Sequence, residues 1–386
     1  MINSPFANKQ FQSRCLDDIR FLLSIALVLF HTFALNFIPD FDINNYSLTY
    51  GFKRWIDSFF CGDSIVAVYF FISGYLFFYT NKEWTVKVYQ HKLRNRVKTL
   101  LIPYLLWNLI GIGLVIFKSL PIFNVFLSYP GTGIDLSISN LLSCFWMYNG
   151  KLSAPLSGVE NAEVFVQTQS YPINTALWFV RDLMIVVVCT PLLHFLLKRL
   201  KLIILTVLGV AYVVFSYKIV DWHINQLTMA FLFFSWGAYL SIQRKSVLDT
   251  FKNYYVGASV FYLFCSIGYV FVSDYSQDVA TLLKIIHSFA LVLFAFGIIS
   301  YLLPRIKFRF HFNVMALSCF VYMSHCLVVP RIQKVLTFLM EPDTDVLWLA
   351  VYLLSYILTL LLLVLCFFFC KRYTPSLLNV LIGGRV

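Results

Sequence analysis

The sequence predicts an all-α, polytopic integral membrane protein with about ten transmembrane helices and both termini in the cytoplasm. Three observations predict it. The 386 residues are 60% hydrophobic and 12% charged, whereas soluble domains are about 45–50% apolar and about 25% charged. That balance excludes both a soluble surface of this size and a disordered chain. The apolar residues fall into ten continuous runs near the about 20 residues a helix needs to cross the hydrocarbon core, not into the short alternating segments of a β-barrel. Finally, basic residues gather in every second connector, as the positive-inside rule requires.

In chain order the runs lie at about 18–38, 61–80, 98–118, 175–197, 201–217, 227–242, 254–273, 281–302, 313–333 and 346–370. The first twenty residues hold no apolar core of a cleavable signal, so the first run is expected to act as its own insertion signal. With the N-terminus inside, the inner connectors hold Lys9, Arg14, Arg20, the cluster from Lys82 to Lys98, Lys198, Arg199, Lys201, Arg244, Lys245 and Lys252. Arg305, Lys307, Arg309, Lys371, Arg372 and Arg385 bring that set to 21 of the 30 basic residues. The outer connectors hold Lys53, Arg54, Lys151, Lys218, Arg331 and Lys334, together with 13 of the 18 acidic residues. One missed helix would invert every later connector and destroy this pattern. The net charge of +12 therefore reads as membrane orientation, and no nucleic-acid partner is expected.

Residues 1–386 read as a single membrane domain with no appended soluble domain. The long connector 119–174 falls outside and carries Pro121, Pro130, Gly131, Gly133, Pro155, Gly158 and Pro172. Its stretch 138–148 is apolar but too short to cross, so it reads as interfacial or re-entrant. Such a loop either covers a site or merely connects. The nine cysteines form no metal or redox motif and no metal is expected. A disulfide between Cys61 and Cys144, both near the outer face, has no sequence support.

Polar groups inside spans are costly unless paired or wetted, so they mark where function is to be sought. In the first run Arg20 and His31 are eleven residues apart, which returns to within about 20° of one face. Ser24 lies between them, and His31 sits about 16 Å deeper than Arg20. Arg20 alone reads equally as a snorkelling topology signal, and His31 as a helix–helix contact. Ahead of the third run, Lys87, Lys92, Arg94, Arg96 and Lys98 precede Pro103, a positive-inside stop or an electropositive mouth for a polyanion. Arg181 and Asp182, being neighbours on a helix, point about 100° apart and are expected not to pair with each other but to tie adjoining helices. His325 lies at nearly the depth of His31, and the two imidazoles either bound one cavity or coincide by chance.

Taken together, these segments resemble the membrane acyltransferase 3 family. Arg20 and His31 match its first-span signature. Residues 65–77, with Phe70, Phe71, Ser73, Gly74 and Tyr75, are similar to its second-span segment. Arg96 with Pro103 and Tyr104, then LWF at 177–179, then Ser318, Tyr322 and His325, match later signatures. The match runs in order from about 16 to 330. One position departs: Thr99 stands where many members carry a second Arg, and Lys98 or Arg94 is left to take that role.

The resemblance implies an O-acyltransferase of the cell (inner) membrane that carries an acyl group, acetyl by default, from cytoplasmic acyl-CoA (acetyl-CoA). The acceptor would be a surface glycan or a lipid-linked sugar. His31 is then the expected base for the acceptor hydroxyl, since imidazole is neutral and basic near the working pH. Ser73, His325 or a cavity water is the expected oxyanion donor. Arg20 and Arg96, with Arg94 and Lys98, would hold the anionic donor. Two other classes remain: a transporter or flippase of the same sugars, which repeats, paired broken helices or a charged central path would favour, and a non-catalytic component of an envelope assembly. No internal repeat is found.

Overall fold

The structure, a computed structural model, describes residues 9–34, 42–79, 83–118, 132–134, 136–148, 153–155, 171–218, 222–273, 275–302 and 313–385. Lys82, Lys151, Arg305, Lys307, Arg309 and most of the connector 119–174 lie outside the described residues. Among the described residues the regular structure is helical apart from a two-stranded antiparallel ladder, β1 (Thr132–Ile134) with β2 (Ser153–Pro155). All ten predicted runs are helical. In chain order the helices are α1 (Lys9–Ala34), α2 (Ser47–Phe59), α3 (Gly62–Tyr79), α4 (Val86–Arg96), α5 (Ile102–Lys118) and α6 (Ile138–Ser143). Then come α7 (Trp178–Val188), α8 (Thr190–Leu200), α9 (Leu202–Lys218), α10 (Trp222–Ile242) and α11 (Val247–Phe251). The series ends with α12 (Tyr255–Val272), α13 (Gln277–Leu302), α14 (Val314–Met340), α15 (Asp345–Tyr373) and α16 (Pro375–Leu381).

Six stretches among the described residues are long and apolar enough to cross a membrane: 47–79, 86–117, 247–272, 277–302, 314–340 and 345–373. A seventh is formed if α7 and α8, bent by 65°, make one broken span. The bend has a local cause. Pro191, in the first turn of α8, brings no N–H to the Val187 carbonyl four residues back, and the Thr190 hydroxyl donates to that carbonyl instead, at 2.7 Å. The apolar stretch of α9 is shorter. α1 and α10, of 26 and 21 residues, owe their lower hydropathy to Asp17, Asp18 and Arg20 and to His223, Asn225 and Gln226. Length and composition thus support six or seven of the ten expected spans.

The bundle is built around α3, whose sequence is apolar on every side and which is buried along most of its length. It packs backbone to backbone on α10. A Cβ on Gly74 would lie 1.9 Å from the Phe234 carbonyl oxygen, and one on Gly237 would lie 2.0 Å from that of Phe71. Small residues at such a crossing let helices approach where lipid gives no hydrophobic drive to association. α1 packs on α14, α14 on α15, and α12 on α13. The outward faces of α9, α12 and α15 are apolar and exposed, as at Val207, Val210, Val260, Phe264, Leu361 and Leu365, which suits contact with lipid. Asp345 ties two ends together: its carboxylate accepts from the backbone N–H groups of Leu48 (2.6 Å) and Thr49 (2.9 Å), capping α2 from a distant helix. Cys61 and Cys144 are both free.

The Gly74–Gly237 contact yields a direct prediction. Gly74→Ala and Gly237→Ala each lower the melting temperature of the detergent-solubilised protein by an overpacking cost of about 1–3 kcal/mol. Gly209→Ala, where a Cβ would meet nothing within 4 Å, leaves the melting temperature unchanged.

Candidate active site

α1 runs through the bundle with Arg20, Ser24 and His31 on one face, and α14 brings His325 to it. The His31 and His325 rings lie 5.1 Å apart between centroids, tilted by 45°. The two histidines at matched depth therefore do meet. Nδ1 of His325 lies 2.9 Å from the Tyr322 carbonyl and 3.1 Å from that of Val321. A carbonyl can only accept, so Nδ1 carries the proton, and the neutral ring keeps its lone pair on Nε2. That nitrogen is 3.4 Å from the Cys326 thiol. Nδ1 of His31 is buried with no hydrogen-bond partner, which costs about 1–3 kcal/mol.

The contrast with a third buried histidine is informative. His287 has Ser64 Oγ at 2.8 Å from one ring nitrogen and Ser266 Oγ at 3.2 Å from the other, and Ser64 continues to Ser288 at 3.0 Å. That knot fastens α3, α12 and α13 with both nitrogens matched, which is how an imidazole is buried for structure. His31 is not buried that way.

Aromatic side chains join the histidines to Arg20. The Tyr69 hydroxyl donates to the Arg20 carbonyl at 2.8 Å. The Tyr69 and Tyr322 rings are 5.7 Å apart, and Tyr322 is 6.0 Å from His325. Phe179 closes the group at 5.7 Å from each tyrosine ring. Over the histidine end lies the segment before α7: the Tyr322 hydroxyl donates to the Ala176 carbonyl at 2.6 Å, and the Asn174 side-chain amide donates to that of Met323 at 2.8 Å. Asn108 Oδ1 accepts from the Asn174 backbone N–H at 3.2 Å. The described end of the long connector is thus fastened over the site. Trp146, in the turn after α6, is half exposed.

At the arginine end, Arg20 pairs with Asp17 at 3.3 Å, and Arg96 lies over the Phe77 ring at 5.7 Å. Between α4 and α5 the chain makes a π-helical turn, Val97–Leu101. Pro103 brings no N–H to the carbonyl of Thr99 four residues earlier, which widens the helix here. Arg385 reaches this turn and donates to the Thr99 carbonyl at 3.1 Å. Arg94 and Lys98 are exposed on this end of α4 and of the π-helical turn. Ser73 lies one helical turn beyond Tyr69 along α3, away from His31. Tyr69 meets the Arg20 carbonyl, so Ser73 stands on the arginine side of that contact along α3.

One expectation is overturned. Arg181 and Asp182 do pair, Nε to Oδ1 at 2.8 Å, both buried. Angular separation fixes only the directions of the Cβ atoms, and the long arginine side chain curls back across it. His223 Nε2 is 3.3 Å from the same oxygen, and Nη1 of Arg181 donates to the Trp146 carbonyl at 2.7 Å. The tie between helices was foreseen; the direct pair was not.

The His31, His325 and Cys326 donor atoms lie within 4.8 Å of one another, the one such metal-capable group among the described residues. A soft cation would find three ligands, but the Cys326 thiol also has Thr175 and the Ala176 backbone as hydrogen-bond partners. A separate apolar groove, lined by Leu22, Ala26, Phe59, Tyr262, Leu291 and Phe294, contains none of these polar groups. Tyr69, Asn108, Asn174, Cys326 and Arg385 were missed as site residues by the sequence reading. Tyr69 alone had a signal, a place inside the second-span segment.

Fold and site together define a multi-pass helical membrane protein with a pair of histidines in contact inside the bundle and a cluster of arginines further along α1. The acyltransferase domain of the acyltransferase 3 family matches residues 14–368, nearly the whole chain, and the protein belongs to that family. No characterised protein and no solved structure matches it.

The buried pair predicts its own mutational signature. Arg181→Met leaves Asp182 without its main partner and destabilises the protein by about 3–5 kcal/mol, read as a fall in melting temperature. The double variant Arg181→Met/Asp182→Leu loses markedly less.

Proposed function

We propose that this membrane acyltransferase is an O-acyltransferase of the cell (inner) membrane, with ten spans and its arginine end in the cytoplasm. It moves an acyl group, acetyl by default, from cytoplasmic acyl-CoA to a hydroxyl of an envelope polysaccharide or of its lipid-linked precursor. The observation that carries this reading is the line of contacts from Arg20 through Tyr69 and Tyr322 to His325 and His31. It joins a polyanion-binding end to a proton-accepting end across about 16 Å of α1.

The chemistry follows from these groups. The phosphates of the donor lie at the arginines and the pantetheine arm extends along the tyrosines, bringing the thioester to the histidines. His31, whose Nδ1 is unpartnered, takes the proton of the acceptor hydroxyl as its oxygen attacks the thioester carbonyl; such a base is worth roughly 10²–10⁴ in rate. The tetrahedral intermediate collapses with loss of the CoA thiolate, which recovers the proton from the imidazolium. His325, with its tautomer fixed by two carbonyls, stands beside His31 and orients it. With its Nδ1 proton given to two carbonyls and no proton on Nε2, neutral His325 has no donor for the oxyanion, which leaves a cavity water or the Ser73 hydroxyl for that role.

A glycan transporter would find one supporting feature, the broken helix α7–α8. Transporter sites use broken helices in corresponding halves, and among the described residues there is one bent pair and no repeat.

His31→Ala is expected to lower transfer of label from acetyl-CoA to extracted surface glycans by at least about 10²-fold, with insertion and abundance unchanged. Full activity in that variant removes the base from His31. Arg96→Ala is expected to raise the apparent KM for the donor about 10-fold with kcat little altered. An unchanged KM makes Arg96 a marker of topology alone.

A further inference from the structure

The segment after α15 lies beyond the residues matched by the family, yet it docks against the arginine end. Pro375 starts α16 at a position where a missing N–H costs nothing. Gly383 and Gly384 end the helix with φ of +66° and +76°, and the Gly384 N–H donates back to the Asn379 carbonyl at 2.7 Å. The turn is pressed onto the π-helical segment: a Cβ on Gly383 would lie 2.5 Å from the Thr99 carbonyl oxygen. Trp107 Nε1 donates to the Leu381 carbonyl at 3.0 Å, and the Asn313 side-chain amide donates to that of Arg385 at 2.6 Å. This packing delivers one side chain. Arg385 Nη1 donates to the carbonyls of Thr99 and Ile382 and lies 3.6 Å from Cys319 Sγ.

Its electrostatic neighbours are Arg20, Arg96 and Asp17. Arg96 directly precedes the π-helical turn whose Thr99 carbonyl Arg385 holds, so these two guanidinium groups share one turn. Arg20 and its partner Asp17 lie within electrostatic range, and all three arginines are half-buried. Like charges so placed repel unless an anion joins them, and guanidinium forks match phosphate oxygens in pairs. The hydrogen bonds Arg385 makes come from one guanidinium nitrogen; they hold the group in place without neutralising it.

We propose that Arg385 completes a phosphate-binding site with Arg20 and Arg96, and that this site holds the phosphates of the acyl donor. The inference rests on the donor reading given above. The same chemistry would suit the headgroup of an anionic lipid, so the test carries both ligands. Purified protein in phosphatidylcholine nanodiscs is titrated with coenzyme A, with adenosine 3′,5′-bisphosphate and with pantetheine, which has no phosphate. A parallel sample measures retention of phosphatidylglycerol by native mass spectrometry.

Arg385→Ala is expected to weaken coenzyme A and the bisphosphate about 10-fold or more and to leave pantetheine unchanged; Arg385→Lys falls between. Lys371→Ala removes an equal, exposed charge from the same end and is the control for general field effects. Equal affinity of wild type and Arg385→Ala for coenzyme A overturns the proposal. So does an equal loss for pantetheine, which marks a merely structural role. If wild type binds no coenzyme A but retains phosphatidylglycerol through Arg385, the phosphate site stands and the donor reading falls. If neither ligand is held through Arg385, the site falls as well.

Discussion

A polar atom inside a lipid-facing bundle has no bulk water to return to, so each one must either find a partner in the protein or be kept unpaired for a reason. This constraint organises the molecule. It explains why His287 sits in a knot of three serines and why Arg181 meets both its own neighbour Asp182 and the Trp146 carbonyl. It also gives the unpartnered Nδ1 of His31 its meaning. Three intramembrane histidines look alike in a sequence. Of the three, His31 alone keeps a buried ring nitrogen without a partner, whereas both nitrogens of His325 and of His287 are matched.

The same rule, applied to the backbone, shapes the bundle at its prolines. A proline inside a helix withholds an N–H from the carbonyl four residues earlier, and at Pro191 and Pro103 that carbonyl lies where the helix bends or widens. Pro191 leaves Val187 to the Thr190 hydroxyl at the 65° bend. Pro103 leaves Thr99 to Arg385 in the π-helical turn. Pro330 stands four residues after Cys326, next to His325. Local covalent chemistry thus sets out the bend, the arginine end and the histidine end before any long-range packing is considered.

How much of this was legible in the sequence depends on the distance over which each feature is encoded. The runs of apolar residues are local, and all ten became helices. Whether each crosses a membrane is less local: α1 and α10 carry polar groups that serve the interior, and these groups lower the hydropathy by which a span is recognised. The face shared by Arg20 and His31 followed from helical periodicity alone. Their company did not. His325, Tyr322 and Asn174 come to the site through the packing of α14, and Arg385 through a glycine turn whose effect depends on the π-helical segment it touches.

That line is the part of the site with the strongest functional consequence. Acyl transfer in water needs only a base and a donor in one pocket. Here the groups suited to phosphate and the groups suited to a hydroxyl proton are held about 16 Å apart along one helix, with aromatic rings rather than charges between them. Such spacing suits a donor with an anionic head and a long, weakly polar arm that ends in the reactive group. It does not suit a small ion, or a sugar moving through a path lined with charge. In the reaction proposed above, that separation would let the acceptor approach from the side opposite the donor's phosphates, so that the acyl group alone would have to cross while the charged parts of both substrates stay where water can reach them.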